Sequence, residues 1–335
     1  GPGEVAGDHL ISIENILAGR GDDTLSGNAS ANTLSGGNGI DRLFGHEGDD
    51  TLNGENGADT LNGGAGADVL DGGNGVDTAD YADAAVAVTV DLVAGTGAGG
   101  EAQGDSYISI ENATGGEGDD VFVSNNLANR FDGGSELDTN IVDYSQSDDG
   151  LNIDLRLELQ DSSGYATGDR LISIQNVIGS NYEDTLFGDD EDNELLGGAG
   201  NDDLIGDGGD DWLSGGGGKD EFRGGDGNDR YVFSSIFDSP AGADNTLDKI
   251  TEFIIFGTSQ DKIDLFDMDA NSNLSGNQAF TFALFEFTGK AGQLHVVVTP
   301  TNFIRVEADV NGDRQADFAL LVNSRNKLSA SSFIL

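Results

Sequence analysis

One apolar residue recurs every ninth position through three stretches of the chain, always two places after an Asp or Asn and preceded by glycine. In the first stretch the apolar positions are Leu25, Leu34, Leu43, Leu52, Leu61, Leu70 and Ala79. In the third they are Leu186, Leu195, Leu204, Leu213, Phe222 and Tyr231. A period of nine is neither the alternation of a simple strand nor the stripe of a helix. It predicts a turn of six residues with a three-residue strand, two such units closing one coil of about 18 residues, and coils stacked at the inter-strand spacing of about 4.8 Å. Position eight then points inward as a thin core.

Each block follows a similar leader, GDHLISIEN from 7, GDSYISIEN from 104 and GDRLISIQN from 168, with 16 residues from the leader's Gly to the block's first Asp. Between blocks, DYADAAVAVTVDL (80–92) and DYSQSDDGLNIDL (143–155) alternate as short strands and read as coils that have lost their turn loops. Past Phe233 glycine thins and 12 of the 17 Phe follow from there. KITEFIIF, AFTFALFEF, QLHVVVTP and NFIRVEADV predict a mainly antiparallel β domain with a hairpin turn at TPTN, 299–302. The whole is all-β: a parallel roll in three blocks joined by strand excursions and capped by an antiparallel β domain. The expected division is 1–6 linker, 7–81 first block with leader, 82–103 excursion, 104–144 second block, 145–167 excursion, 168–233 third block and 234–335 cap. The opening GPG reads as a remnant of cloning, and the chain as the C-terminal part of something longer.

Charge decides what this roll needs. With 62 Asp and Glu against 15 Lys and Arg, the net charge is −47, so a cation rather than nucleic acid or an anionic membrane is the natural partner. There is no cysteine, hence neither disulfide nor thiolate site, and no apolar run long enough to span a membrane.

In register, position six reads Asp23, Asn32, Asp41, Asp50, Asp59, Asp68 and Asp77 in the first block, Asp120, Asn129 and Asp138 in the second, and Asp184, Asn193, Asp202, Asp211, Asp220 and Asp229 in the third. Residues two repeats apart share one edge of adjacent coils. Two carboxylates about 5 Å apart at an effective dielectric of about 20 repel by roughly 3 kcal/mol. The register gives the Asp pairs 23/41, 41/59, 59/77, 50/68, 120/138, 184/202, 202/220 and 211/229. Their sum outweighs the ~5–15 kcal/mol of a folded domain. A cation must therefore sit in the gap. Carboxylates with turn carbonyls suit Ca²⁺, which tolerates irregular oxygen cages better than Mg²⁺ does. The carbonyls expected to contribute are those of positions one and three: Gly36, Asn38, Gly45, Glu47, Gly54, Asn56, Gly63, Ala65, Gly72, Asn74, Gly197, Ala199, Gly206, Gly208, Gly215, Gly217, Gly224 and Asp226. About ten ions are expected on this count.

GGNGIDRLF, GGAGADVLD and GGAGNDDLI resemble the repeats of the RTX (repeats-in-toxin) family, GGxGxDxUx, which bind Ca²⁺. A solvated Gly-rich tract would not keep so regular a Leu at position eight. DKIDLFDMDAN, NQAFTF, FTGKAGQL, ADVNGDRQADF and the terminal FIL resemble the domain that follows the β-roll in serralysin-type secreted proteases, with Phe266 in place of a small polar residue and Ser332 in place of an acidic one. The resemblance implies a secreted, extracellular protein exported by a type I ABC transporter that reads a C-terminal signal.

Asp309, Asn311, Asp313 and Asp317 in DVNGDRQAD have nearly the oxygen order of a calcium loop, giving a further expected site. GHEGDD lacks the second His that a zinc-protease helix needs, and His9, His46 and His295 share no ligand spacing. Trp212, at an outward position seven, is expected to pack on an excursion; stacking on a sugar is the other reading. No nucleophile or acid/base constellation appears, so the chain is read as non-catalytic, any enzyme lying in a preceding domain. The second function carried forward is adhesion or binding of an extracellular polysaccharide, as in the repeat modules of alginate epimerases.

Overall fold

The computed structural model describes residues 14–135, 137–160, 163–255, 260–283, 286–301, 303–325 and 327–335. The first leader's GDHLISI and His9, and Asn302 of the expected turn, lie outside them. The chain forms two compact units: one runs up to Val123 and includes Asn129–Asn140, the other joins Ser124–Ala128 to Ile141–Leu335.

In the first unit, Asn15–Leu17, Thr33–Asn38, Thr51–Gly57, Val69–Gly75 and Ser106–Ile108 pair in parallel in that order. A second sheet runs Thr24–Ser26, Arg42–Glu47, Thr60–Ala65, Thr78–Asp80, Asn112–Thr114 and Arg130–Asp132, also parallel. Partners such as Leu34↔Leu52 and Leu43↔Leu61 are 18 residues apart, the expected coil. The position-eight residues from Leu34 to Ala79 are fully buried between the sheets. The repeat strands are longer than the expected three residues. The turns stack in register too, Gly37 on Glu55 and Asn38 on Asn56, so backbone pairing runs on into the glycines.

The second unit repeats this plan. Ile141–Asp143, Asn176–Ile178, Glu194–Gly200, Trp212–Gly218 and Arg230–Val232 form one parallel sheet, and Asn152–Asp154, Thr185–Phe187, Asp203–Gly208 and Glu221–Asp226 the other. The excursion strands Thr89–Asp91 and Asn152–Asp154 are ordinary coil rungs, with Val90 and Ile153 fully buried. Thr96–Ala98 leaves the pattern, folding back antiparallel on Thr89–Asp91.

The roll does not stop at Phe233. Lys249–Phe253 adds in parallel to Glu221–Asp226, Lys262–Asp264 to Arg230–Val232, and Phe333–Ile334 to Lys262–Asp264. In this part of the chain Gln293–Val298, Ile304–Asp309 and Phe318–Ser324 pair antiparallel as a meander, whose first hairpin closes through Thr299 N–H to Phe303 O at 2.8 Å. Phe222, Phe233 and Phe318 pack edge to face, 5.7 and 5.4 Å between ring centres, and stitch the last coils to that meander.

Candidate metal centre

The repeat aspartates of the first and third blocks, from Asp41 to Asp77 and from Asp202 to Asp229, divide their two oxygens. Oδ1 accepts the backbone N–H of the position-six residue one coil earlier: Asp41 N–H to Asp59 at 2.8 Å, Asp50 to Asp68 at 2.7 Å, Asp202 to Asp220 at 2.9 Å, and likewise through both blocks. Oδ2 is buried and has no hydrogen-bond partner in Asp41, Asp50, Asp59, Asp68, Asp77, Asp202, Asp211, Asp220 and Asp229. These side chains are at most 2 % exposed. A buried carboxylate oxygen without a donor is costly and calls for a counter-charge.

Position one must be glycine because a Cβ there would run into that oxygen. On Gly36, Gly45, Gly54 and Gly63 it would strike Oδ2 of Asp41, Asp50, Asp59 and Asp68. The same point on Gly45 is 2.5 Å from Gly63 O, on Gly54 2.6 Å from Gly72 O, and on Gly197 2.8 Å from Gly215 O. One carboxylate oxygen and the position-one carbonyl of the next coil thus converge beside each such glycine. This all-oxygen set fits a hard cation. Among the described residues no three His, Cys, Asp or Glu converge, because each pocket draws on backbone carbonyls rather than on a third side chain. Position-three carbonyls spend a lone pair between coils: Asn56 O accepts Gly39 N–H at 3.0 Å, Ala65 O accepts Gly48 N–H at 2.9 Å.

Burial is the main cause of raised carboxyl pKa values along the ladder. Asp68 and Asp202 rise to about 7, Asp211 to about 8, and Asp77, Asp220 and Asp229 to about 6, with neighbouring carboxylates adding to the push. Asp41, Asp50 and Asp59 are raised as well.

Several expected ligands are otherwise engaged. Asn193 Oδ1 accepts Asp189 N–H and its Nδ2 donates to Gln175 O at 2.8 Å, while Asn129 Nδ2 donates to Glu111 O at 2.6 Å. The amide at the second repeat is a cap where the preceding coil offers a carbonyl. Asn32 N–H joins the ladder through Asp50 Oδ1.

In the second block Asp120 accepts Val88 N–H on Oδ1 and Gly116 N–H on Oδ2. The expected 120/138 pair does not form: Asp120 N–H donates to Asn140, 20 residues on, and Asp138 Oδ2 accepts Gly118 N–H. Asp184 also has both oxygens occupied, by Leu151 N–H and by Ser180. The 309–317 loop closes on itself. Asp309 accepts Gly312 N–H and Arg314 N–H, and Asp317 accepts Val310 N–H and Asn311 Nδ2.

The structure adds acids to the N–H ladder that the nine-residue count passes over. Asp248 Oδ1 accepts Asp220 N–H at 2.8 Å and its Oδ2 is a tenth orphaned oxygen; Asp261 Oδ1 accepts Asp229 N–H at 3.3 Å. Asp105 and Glu111 take the same place after Asp68 and Asp77. Their shared signal is the triplet of an acid, any residue and an apolar residue, as in Asp248-Lys249-Ile250 and Asp261-Lys262-Ile263, without the glycine run. Trp212 is 39 % exposed and stacks under the Arg230 guanidinium at 4.3 Å, not on an excursion. His46 hydrogen-bonds Ser26 Oγ at 2.7 Å and His295 packs on Phe287.

Position two takes a left-handed backbone, φ 104° at Gly37 and 92° at Gly73, yet His46, Glu55 and Asp207 hold it with φ 80°, 73° and 78°. Glu55→Gly is therefore expected to stabilise the folded chain by about 0.5–1 kcal/mol after glycine's own entropy cost. Thermal melts in calcium would read this as a higher Tm. Glu55→Ala, which keeps Cβ, should give no comparable gain; equal gains would mean the charge and not the backbone is responsible.

The RTX calcium-binding nonapeptide-repeat family model matches residues 12–43 and 44–79, and the peptidase M10 serralysin C-terminal model matches residues 171–335. Neither is a catalytic domain. No curated protein matches the chain. Similar solved structures include the AlgE6R3 and AlgE6R2 subunits of the Azotobacter vinelandii mannuronan C5-epimerase. They are 28 % and 29 % identical, cover 47 % and 48 % of this chain and 80 % and 92 % of their own, with TM-scores of 0.35 and 0.36. On its matched repeats, its C-terminal match and the parallel roll they build, the chain is an RTX calcium-binding repeat protein with a serralysin-like C-terminal domain.

Proposed function

We propose that this chain is the calcium-folded region of a larger secreted protein, extended where calcium is scarce and closing into the roll outside the cell. The observation that carries the reading is the set of ten buried aspartate oxygens without a donor among the described residues, nine in the repeats and one at Asp248. A bound cation would supply the positive charge that these oxygens and the position-one carbonyls lack. The protein's own residues do the rest: Oδ1 holds the coils in register and position eight excludes water. Extracellular calcium modules bind at about 10⁻⁴–10⁻³ M, which separates the two compartments.

Export by a type I transporter rests on the serralysin-like segment. Its last residues are an edge strand, Phe333–Ile334 on Ile263–Asp264. Expression in cells with and without such a transporter tests it: the chain is expected in the medium only with the transporter, and no longer after removal of Phe318–Leu335. Transporter-independent release would overturn export while leaving calcium folding intact. Calcium-dependent retention on an immobilised acidic polysaccharide would favour the glycan-binding reading instead.

A further inference from the structure

Two aspartates fill their second oxygen with a tyrosine hydroxyl. Asp105 takes the place after Asp68, accepting its N–H on Oδ1 at 2.9 Å, but Oδ2 accepts the Tyr81 hydroxyl at 2.6 Å. Tyr81 is fully buried, and its oxygen lies 2.8 Å from the Tyr107 hydroxyl. Since Tyr81 has one proton and gives it to Asp105, Tyr107 donates to Tyr81, and the relay ends on the carboxylate. The other unit builds the same contact from the same words of sequence. Asp169 Oδ2 accepts the Tyr144 hydroxyl at 2.9 Å and Ser124 Oγ–H at 3.1 Å, with Tyr144 and Asp169 both fully buried. Both tyrosines follow an Asp just after a block (Asp80-Tyr81, Asp143-Tyr144), and both aspartates follow the glycine of the next leader.

We propose that Tyr81 and Tyr144 stand in for calcium, their hydroxyl protons giving Asp105 and Asp169 what a cation gives the repeat aspartates. They thereby set where the metal ladder stops and close the junction coils without an ion. The inference rests on the calcium reading of the repeats and adds which aspartates are excluded from it. A phenol is a neutral donor on a rigid ring, so it satisfies one oxygen without the two or more extra ligands that Ca²⁺ would demand.

The test uses the full chain at saturating calcium and along a calcium titration. Asp68→Ala is expected to lose bound calcium in equilibrium dialysis, whereas Asp105→Ala keeps the full number of ions. Tyr81→Phe keeps the ring but strands Asp105 Oδ2; the calcium midpoint of folding should rise severalfold, and Asp105→Asn in the same chain should restore most of it. Tyr107→Phe, one step removed from the carboxylate, should shift the midpoint less. Equal ion loss in Asp105→Ala and Asp68→Ala would overturn the proposal, as would a Tyr81→Phe defect that Asp105→Asn leaves unrelieved, or none at all. A wild-type chain that binds no calcium would instead sink the reading of the repeats themselves.

Discussion

In chelator at pH 8 the chain is expected to give a coil-like circular dichroism spectrum, and to gain its β signal cooperatively as calcium reaches the millimolar range. Among the described residues ten buried carboxylate oxygens lack a donor. At roughly 1–3 kcal/mol for each unsatisfied buried group, and more for a charged one, their cost matches or exceeds the ~5–15 kcal/mol by which a domain is ordinarily stable. Mg²⁺ should substitute poorly, because it demands near-octahedral geometry and sheds water reluctantly.

Protons offer an independent check through the raised carboxyls. For Asp68, Asp202 and Asp211, burial lifts the folded-state pKa from 3.8 to about 7, 7 and 8. The folded apo chain therefore binds more protons than the unfolded one. Their contribution to stability is fully present below about 3.8 and is lost progressively as pH rises to about 7 to 8. In chelator, β signal should thus be larger at pH 5.5 than at pH 8, a pH still above the isoelectric point of about 4.1. A full β spectrum in chelator at pH 8, or one that weakens on acidification, would contradict the charge argument.

The coil was legible because its signal is local and repeated: an acid, any residue and Leu at a fixed interval of nine fix the turn, the strand and the 18-residue register together. The destination of each carboxylate was less so. The Asp120/Asp138 pair looked sound by spacing, but the second block is two residues longer there and Asn140 takes the place. Asp105, Asp248 and Asp261 escape a count of nine because longer stretches of chain separate them from the rung they join. Intervals of 37, 28 and 32 residues replace 18. Nor could composition show that both oxygens of Asp309 and Asp317 accept donors from their own loop. Hydrogen-bond satisfaction depends on where backbone donors point, and a spacing rule is blind to that.

Removing 234–335 is expected to raise the calcium midpoint of the remaining repeats several-fold and to flatten the transition. The segment does three things for the third block. It pairs the open edges of Glu221–Asp226 and Arg230–Val232 with Lys249–Phe253 and Lys262–Asp264. It covers Phe222, Tyr231 and Phe233, all at most 1 % exposed, with Phe253 and Phe318. And it accepts the last two ladder N–H groups, of Asp220 and Asp229, on Asp248 and Asp261. A stack of repeats without an end cap leaves strand edges and an apolar face in water, which weakens its terminal coils first and lowers cooperativity. Two variants of the whole chain separate the ladder from the apolar cover. Asp248→Asn keeps an acceptor for Asp220 N–H while removing the orphaned charge, and should lower the ion count with a small effect on folding in saturating calcium. Asp248→Ala also strands the buried N–H and should cost about 1–3 kcal/mol more. If the truncated repeats fold at the midpoint and slope of the whole chain, the segment does not cap the roll, and its parallel strands are passengers on a stack that is already closed.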